Sequence, residues 1–358
     1  MIAIILLALA TLSACTVAPS LPIPIPETPQ SSTSPSPLPE KPEPTPVIPS
    51  DFRVVGYITH WHLERLPYIN MEMLTHLIWQ GIEVTSGTDP TLRVSNDASW
   101  DQIPRVIDAG HAKGIKVMVS LVGPWNVSDL SQIWQSPAER TKLIANLKNL
   151  VETYNLDGID VDNESTCNPA LYALFLKELY ESLAPQGKII SLAANPNKVC
   201  LNPDTAKYLE FINVMTYDMA KITVYPYHST LKESAQAMNL WVGAGIPQDK
   251  LLMGIPFYGR DAHVTGFEYQ WIVDKYHPLP SQNQVSEPLA AGGVIWWNGI
   301  DLVKQKVDYA RNSGFGGVMV YEVSIDKFDE QSLLRAIYDE LVQSSPGLGE
   351  SAEVIKGK

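Results

Sequence analysis

Eight apolar runs with β-rich composition, separated by helical patterns, constrain the fold of this 358-residue chain more than any other feature. Between the runs, apolar residues recur at spacings of three and four, as in 141–151 and 169–184, which predicts amphipathic helices. Gly114 and Gly314 each stand between a helical stretch and a strand, as C-terminal caps do. The eight runs are Val54–Ile58, Leu74–Ile82, Ile115–Leu121, Leu156–Asp162, Ile189–Ala194, Phe211–Tyr217, Leu251–Phe257 and Phe315–Tyr321.

Eight consecutive strand-then-helix units predict an α/β protein with a closed (β/α)8 TIM barrel over residues 51–343. The alternative is an open doubly wound sheet, which usually carries a glycine-rich phosphate turn after its first strand. In this chain the first strand leads into Thr59-His60-Trp61-His62, so the barrel is favoured. Functional side chains of such barrels lie at the carboxyl ends of the strands.

The N-terminal region predicts export rather than a folded domain. Residues 2–14 form an apolar run that is too short to span a bilayer and suits a signal peptide, assigned to residues 1–14. Cys15 follows Leu12-Ser13-Ala14, which resembles a bacterial lipobox whose cysteine becomes lipidated. The alternative is a buried helix with an incidental cysteine, and no Lys or Arg precedes the apolar run.

The segments that flank the predicted barrel are unlike it in composition. Residues 15–50 are rich in Pro, Ser and Thr and predict an extended linker, whereas 344–358 predict a disordered tail. We therefore expect an exported monomer held by a lipid anchor at the cell surface or the outer face of a bacterial membrane, or otherwise secreted. Cys167 and Cys200 follow two adjacent predicted strands, and both a disulfide and two separate thiols remain open there.

The charge balance excludes one large class of partner. The chain has 26 Lys and Arg against 39 Asp and Glu, a net charge of −13, so no basic surface for nucleic acid is expected. His60 and His62 lie two apart at the end of the first strand, but no third metal ligand is evident. We therefore expect no cofactor and no metal.

The fourth run ends in a column of acidic residues. Because strand side chains alternate between faces, Asp160, Asp162 and Glu164 share one face, while Ile159 and Val161 share the other. Carboxyl groups held close together raise one another's pKa values, so one member can keep a proton at neutral pH, as a general acid must. A solvated loop would not be expected to keep apolar residues at alternate positions. A metal site is the other alternative, but no histidine lies close in sequence. The pattern predicts acid–base chemistry.

The same segment carries a family resemblance. DGIDVDNE at 157–164 resembles the DxxDxDxE signature of glycoside hydrolase family 18, which includes chitinases and endo-β-N-acetylglucosaminidases. The resemblance covers 53–343 and implies a retaining hydrolase of β-1,4-linked N-acetylglucosamine polysaccharides or oligosaccharides, in which the 2-acetamido group of the substrate is the nucleophile. Further segments follow the order of the family's strands: VVGYITHW at 54–61, THLIWQGI at 75–82, VMVSLVGPW at 117–125, INVMTYD at 212–218, LLMGIPFYGR at 251–260 and GGVMVYE at 316–322.

The resemblance also implies a role for each catalytic residue. Glu164 would protonate the leaving oxygen and then activate water. Asp162 would orient the acetamido N–H, and Asp160 would share a proton or hydrogen bond with Asp162. Tyr217 would hold the acetamido group for attack. Asp157 and Ser120 would support the column from behind, and the expected substrate contacts are Tyr57, Met215, Asp218, Tyr321, Trp125 and Trp61.

Four positions depart from the family pattern. Asn163 stands where the family often has an aromatic residue and should point away from the acidic column, whereas Gly81 and Tyr321 leave the substrate open. Val122 replaces the first glycine of the family's SxGG strand, Gly81 replaces a frequent phenylalanine of the second strand, and Tyr321 replaces the usual tryptophan of the eighth. One alternative is the same reaction on glycoprotein glycans or peptidoglycan. Another is a non-catalytic glycan-binding barrel, although such barrels typically lose the acid that Glu164 supplies.

Overall fold

Parallel pairing of eight strands closes a barrel in the computed structural model, which describes residues 48–95, 98–123, 130–162, 167–219 and 228–343. The strands in these ranges are β1 (Arg53–Thr59), β2 (His76–Ser86), β3 (Asp89–Val94), β4 (Lys116–Val122), β5 (Gly158–Asp162), β6 (Ile189–Ala194), β7 (Phe211–Val214), β8 (Leu251–Pro256), β9 (Tyr258–Arg260), β10 (Gly266–Glu268), β11 (Gln284–Ser286), β12 (Val294–Trp296) and β13 (Gly317–Tyr321).

The barrel closes because β1 pairs in parallel with both β2 and β13. The order around it is β1, β2, β4, β5, β6, β7, β8 and β13, and β3 pairs antiparallel with β2 outside the ring. Each of the eight predicted runs supplies one barrel strand, so the predicted TIM barrel is confirmed.

Helices cover the outside of the barrel. Both helical segments predicted from periodicity form, and each begins at a proline after a capping side chain. Ser136 accepts the N–H of Glu139, and Asn168 accepts the N–H groups of Ala170 and Leu171. The helices are α1 (Gln102–His111), α2 (Ser131–Gln135), α3 (Pro137–Tyr154), α4 (Pro169–Leu183), α5 (Leu231–Gly243), α6 (Tyr269–Tyr276), α7 (Ile300–Asn312) and α8 (Leu333–Gln343).

Glycines stand in two of the connections between a helix and the next strand, as predicted. Gly114 has a φ of 72° and Gly314 a φ of 75°, a left-handed conformation that side chains with a Cβ rarely adopt. Within the described ranges, none of the helices combines the length and hydropathy that crossing a bilayer requires. The predicted signal peptide, Cys15, most of the linker and the tail at 344–358 lie outside the described residues.

The interior of the barrel is separate from the layer between strands and helices. Strand alternation sends Val54 and Ile58 outward into the larger core, while Val55 and Tyr57 point into the barrel. The inner cluster is completed by Ile78, Met118, Phe211, Leu252 and Met319. The same alternation turns Asp160 inward, because its register partners on β4 and β6 are Ser120 and Ser191, which bind its carboxylate.

A small antiparallel sheet is inserted between β8 and α7. Its strands pair in the order β10, β9, β12 and β11, and α6 follows β10. Strand β9 begins two residues after β8 ends, so the insertion rises directly from the carboxyl end of the barrel.

A disulfide joins the connections that follow two neighbouring strands. The sulfur atoms of Cys167, just before α4, and Cys200, after β6, are bonded, and the two residues are 33 apart in sequence. The bond therefore closes the segment that contains α4 and β6.

Reducing this disulfide is expected to lower the free energy of unfolding by about 2–4 kcal/mol, because the cross-link restricts the unfolded chain. Denaturant titration with and without a phosphine reductant measures the effect. The Cys167→Ser/Cys200→Ser double variant is the control, and its unfolding midpoint should not respond to reductant. An unchanged midpoint for the reduced wild-type chain would contradict this expectation.

Candidate active site

Two aspartates of β5 face the carboxyl end of the barrel interior. The side chain of Asp160 is fully buried and that of Asp162 is 5% exposed. Asp162 lines a cavity of about 470 Å³, whereas Asp160 lies beneath it in the barrel. Glu164, the third acid of the predicted column, falls in 163–166, outside the described residues.

Asp160 is the centre of a buried hydrogen-bond network. Its Oδ2 accepts from the Tyr57 hydroxyl at 2.8 Å and from Ser120 Oγ at 2.9 Å, and its Oδ1 accepts from Ser191 Oγ at 2.5 Å. The Nδ2 of Asn213 in turn donates to the Tyr57 hydroxyl at 3.0 Å. Ser120 thus occupies the supporting place that the resemblance implies, while Ser191 and Asn213 join it.

Burial decides the electrostatics of this network. Desolvation raises the pKa of Asp160 above its ordinary value, although the three hydroxyl donors oppose the shift. Burial also raises the pKa of Tyr57 well above its usual value, and the carboxylates of Asp160 and Asp162 raise it further. Tyr57 therefore stays protonated and donates to Asp160, and the network can hold a negative charge or a proton beside Asp162.

The cavity brings together most of the predicted substrate contacts. Besides Asp162, five of the residues that line it were predicted to touch the substrate or its acetamido group: Tyr57, Met215, Tyr217, Asp218 and Tyr321. The ring centroid of Tyr321 lies 6.0 Å from that of Tyr57, 6.1 Å from that of Tyr217 and 6.4 Å from that of Tyr258. Aromatic faces of this kind suit the C–H-rich faces of a sugar ring.

Asp218 is held firmly at the edge of the cavity. Arg260 donates to both of its carboxylate oxygens, from Nε at 2.8 Å and Nη2 at 2.7 Å, and the Tyr258 hydroxyl donates at 2.8 Å. Burial alone would raise the pKa of Asp218, but hydrogen bonds from Arg260 and His228 hold it well below its usual range. Asp218 is thus ionised and presents a fixed, paired charge at the rim.

Asp157 requires a correction. It precedes β5, and its carboxylate accepts the Val117 N–H at 2.7 Å and pairs with His111 Nε2 at 2.8 Å. Because it lies three positions before Asp160, an odd number, alternation puts it on the opposite face of the strand. The prediction that Asp157 braces the acidic column is therefore wrong, since its contacts fasten the start of β5 to β4 and α1.

Of the two predicted tryptophan platforms, Trp61 is within the described residues, and it is not among those that line the cavity. Trp61 follows β1, is 55% exposed and contacts the ring of His60 at a centroid distance of 4.8 Å. Trp125 lies in 124–129, outside the described residues. Within the described ranges, no group of three or more His, Cys, Asp or Glu side chains is arranged to hold a metal ion.

Comparison with known proteins accounts for this geometry. The family model described as glycosyl hydrolases family 18 matches residues 53–326. The chain belongs to glycosyl hydrolase family 18. The matched region of this family 18 chain runs from the first residue of β1 to just beyond β13, and it includes both aspartates and every cavity-lining residue named above.

Relatives of this family 18 chain carry chitinase names. It is 27% identical over 368 residues to a probable chitinase 10 of Drosophila melanogaster, an alignment that covers 80% of this chain and 16% of that protein. It is 26% identical over 274 residues to endochitinase 1 of Metarhizium robertsii, with 62% and 64% covered. The crystal structure of the GH18 chitinase ChiB of Flavobacterium johnsoniae matches with a TM-score of 0.72 and 26% identity, covering 84% of this chain and 95% of that one.

Several residues of the family 18 cavity had not been predicted from the sequence. Gln80 donates from Nε2 to Asp162 Oδ2 at 3.2 Å, and Tyr258 and Arg260 hold Asp218. A polar residue at the carboxyl end of a barrel strand was the available signal for Gln80, because it shares the inward face of Ile78 on β2. Strand β9, which carries Tyr258 and Arg260, is too short to be recognised from alternation.

Proposed function

We propose that this family 18 chain is a retaining glycoside hydrolase that cleaves β-1,4-linked N-acetylglucosamine polymers, with chitin as the first candidate substrate. The observation that carries the proposal is the inward-facing pair Asp160 and Asp162 beneath a cavity walled by tyrosines. Relatives named as chitinases support the substrate class. The chain covers only part of them, 16% of the Drosophila melanogaster protein and 64% of the Metarhizium robertsii protein.

The proposed reaction uses the substrate's own acetamido group. The carbonyl oxygen of that group attacks the anomeric carbon, forming an O–C bond as the bond to the leaving oxygen breaks. The leaving oxygen takes a proton from Glu164, which the alternation of the sequence predicts on the same face as Asp162. Water then attacks the anomeric carbon and gives its proton to Glu164, and the acetamido oxygen is released. Because both steps invert the carbon, the product keeps its β configuration.

The described side chains supply positioning and charge for these steps. Asp162 would accept a hydrogen bond from the acetamido N–H and balance the positive charge that develops on the cyclic intermediate. Asp160 is fixed by three hydroxyl groups and lies beneath Asp162, where it would help to keep the positive charge of the intermediate in place. Tyr217 would hold the acetamido oxygen, and an intramolecular nucleophile needs only this fixed orientation to react efficiently.

The same reaction on glycoprotein glycans or peptidoglycan is the second candidate. Two residues depart from the family pattern near the reacting sugar, Gly81 on β2 and Tyr321 on β13. They favour a subsite of different shape, because Tyr321 lines the cavity. Incubating the chain with chitin oligomers, peptidoglycan and an N-glycosylated protein, and comparing the released products, distinguishes these substrates.

Loss of the acetyl groups is expected to stop the reaction. A fully deacetylated oligomer offers no internal nucleophile, so its hydrolysis rate should be at least about 100-fold below that of the acetylated oligomer of equal length. Chromatography of both reactions measures the ratio, and early NMR spectra should show the β-anomer of the product. Equal rates on the two oligomers, or an early α-anomer, would contradict the proposed mechanism.

We also propose that the chain works outside the cytoplasm. The apolar run at 2–14 and Cys15 support export and lipid anchoring, and the Cys167–Cys200 disulfide suits an oxidising compartment. Radiolabelled fatty acid incorporation that is lost in Cys15→Ser tests the anchor.

A further inference from the structure

A chain of hydrogen bonds reaches Asp162 from the opposite side of the cavity. The Tyr321 hydroxyl donates to Gln80 Oε1 at 2.7 Å, and Gln80 Nε2 donates to Asp162 Oδ2 at 3.2 Å. The three residues sit on β13, β2 and β5, and all three line the cavity. We propose that Gln80 and Tyr321 are positioning residues that fix the orientation of Asp162, an inference that rests on the function proposed above.

The Asp162 carboxylate and the Tyr321 hydroxyl together decide which way the Gln80 amide points. An amide side chain has one acceptor oxygen and one donor NH₂ group. When the hydroxyl donates to the oxygen, the NH₂ group is directed to Asp162 and meets a carboxylate oxygen. With the amide reversed, its oxygen would face that carboxylate, and two acceptors would repel each other. The carboxylate thus makes Gln80 a donor, and the hydroxyl of Tyr321 holds the amide in that position by binding its oxygen.

The backbone of β2 is shaped to present Gln80. The register between β2 and β4 shifts between Gln80 and Ile82, so a bulge falls at Gly81. A Cβ on Gly81 would lie 2.8 Å from the ring of Trp79, which the glycine avoids. Because bulges re-aim neighbouring side chains, the glycine at 81 and the hydrogen-bonding tyrosine at 321 act on the same side chain, that of Gln80.

We expect the contact to affect the charge state of Asp162 as well as its orientation. The titratable groups around this site are Asp160 on the same strand, Tyr57 on β1, Tyr217 after β7 and the Asp218–Arg260 pair at the rim, and Glu164 lies outside the described residues. A donor on the carboxylate favours its ionised form. Since Asp162 is proposed to act on the cyclic intermediate, losing the donor should lower kcat more than it changes KM.

The test uses the full chain and an acetylated chitin oligomer. Tyr321→Phe keeps the ring and removes the hydroxyl, and it should lower kcat about 3- to 10-fold with KM within about twofold. Gln80→Met removes the donor itself and should lower kcat about 10- to 30-fold. The double variant should match Gln80→Met within about twofold, since the hydroxyl acts through the amide. Tyr68→Phe, at an exposed tyrosine, is the matched control and should leave both parameters unchanged.

The pH profile of kcat provides a readout that mere loss of packing would not move. In Tyr321→Phe and Gln80→Met the acidic limb should shift to higher pH, because the Asp162 carboxylate has lost a donor. Gln80→Glu is nearly isosteric, keeps an acceptor for Tyr321 and sets a second carboxylate beside Asp162, so it should shift the limb furthest.

Two results would overturn the positioning role while leaving the proposed function standing. In the first, the wild-type chain hydrolyses the oligomer, but the loss of kcat in the Tyr321→Phe/Gln80→Met double variant equals the product of the losses in the two single variants. The other is an acidic limb that stays in place in all three single variants. A wild-type chain with no turnover of acetylated oligomers would instead overturn the proposed function and this inference with it.

Discussion

Replacing Glu164 with glutamine is expected to lower kcat on acetylated oligomers by about 10³- to 10⁴-fold, because the amide can neither give nor take the proton. Oligosaccharide binding should persist within a few-fold, since the cavity formed by the tyrosines and Asp162 is unchanged. Stopped assays with reducing-end detection measure turnover, and calorimetry measures binding by the inactive variant.

The matched control for this prediction is Glu72→Gln. Glu72 is an exposed carboxylate whose partner is Lys113, far in sequence from the acidic strand. Its replacement should leave kcat and KM at the wild-type values. If the Glu164 variant retained more than about a tenth of the wild-type rate, the assignment of Glu164 as the general acid would be untenable.

Asp160→Asn is expected to lower kcat about 10²- to 10³-fold, because it removes the ionisable carboxyl group beneath Asp162. The amide is nearly isosteric, and its oxygen can still accept from two of the hydroxyls of Tyr57, Ser120 and Ser191. The serine that faces the new NH₂ group can rotate its hydroxyl to accept. The variant should therefore fold, and the loss of activity should come from the missing carboxyl group.

The stability of Asp160→Asn should move in the opposite direction to its activity. Burial raises the pKa of Asp160 in the folded chain, so ionising this group costs folding free energy. That cost is absent at low pH, where Asp160 is protonated in both states, and grows as pH rises through its folded-state pKa. The melting temperature of the variant relative to wild type should therefore increase from pH 4 to pH 7. If the stability of the variant relative to wild type instead fell between pH 4 and pH 7, this interpretation of the network would be contradicted.

The barrel could be predicted from sequence because its signal is local and repeated. Each strand is a short apolar run, and the stripes of α3 and α4 follow the helical period between prolines and caps. The antiparallel sheet of β9–β12 could not be predicted in the same way. Its strands are three residues long, which is too short for alternation to show, and their pairing depends on contacts between distant segments.

Strand parity accounts for where two of the predicted acids lie. Alternation put Asp160 and Asp162 on the inner face, where the structure has them, whereas Tyr57 on β1 and Ser120 on β4 were implied by the family resemblance. The same rule, applied to Asp157, would have placed that residue outside, where it binds Val117 and His111. Gln80 escaped prediction because a bulge and a hydroxyl on another strand determine where its amide points.

The antiparallel sheet has a consequence for how this domain can change over time. Within the described ranges its four strands pair only with one another, and it carries Tyr258 and Arg260 at the edge of the cavity. Recombination between the end of β8 and the start of α7 would exchange this wall without disturbing the register of the eight-stranded ring. Under the proposed function, new substrate preferences could thus arise by exchange of one segment while Asp160 and Asp162 stay in place.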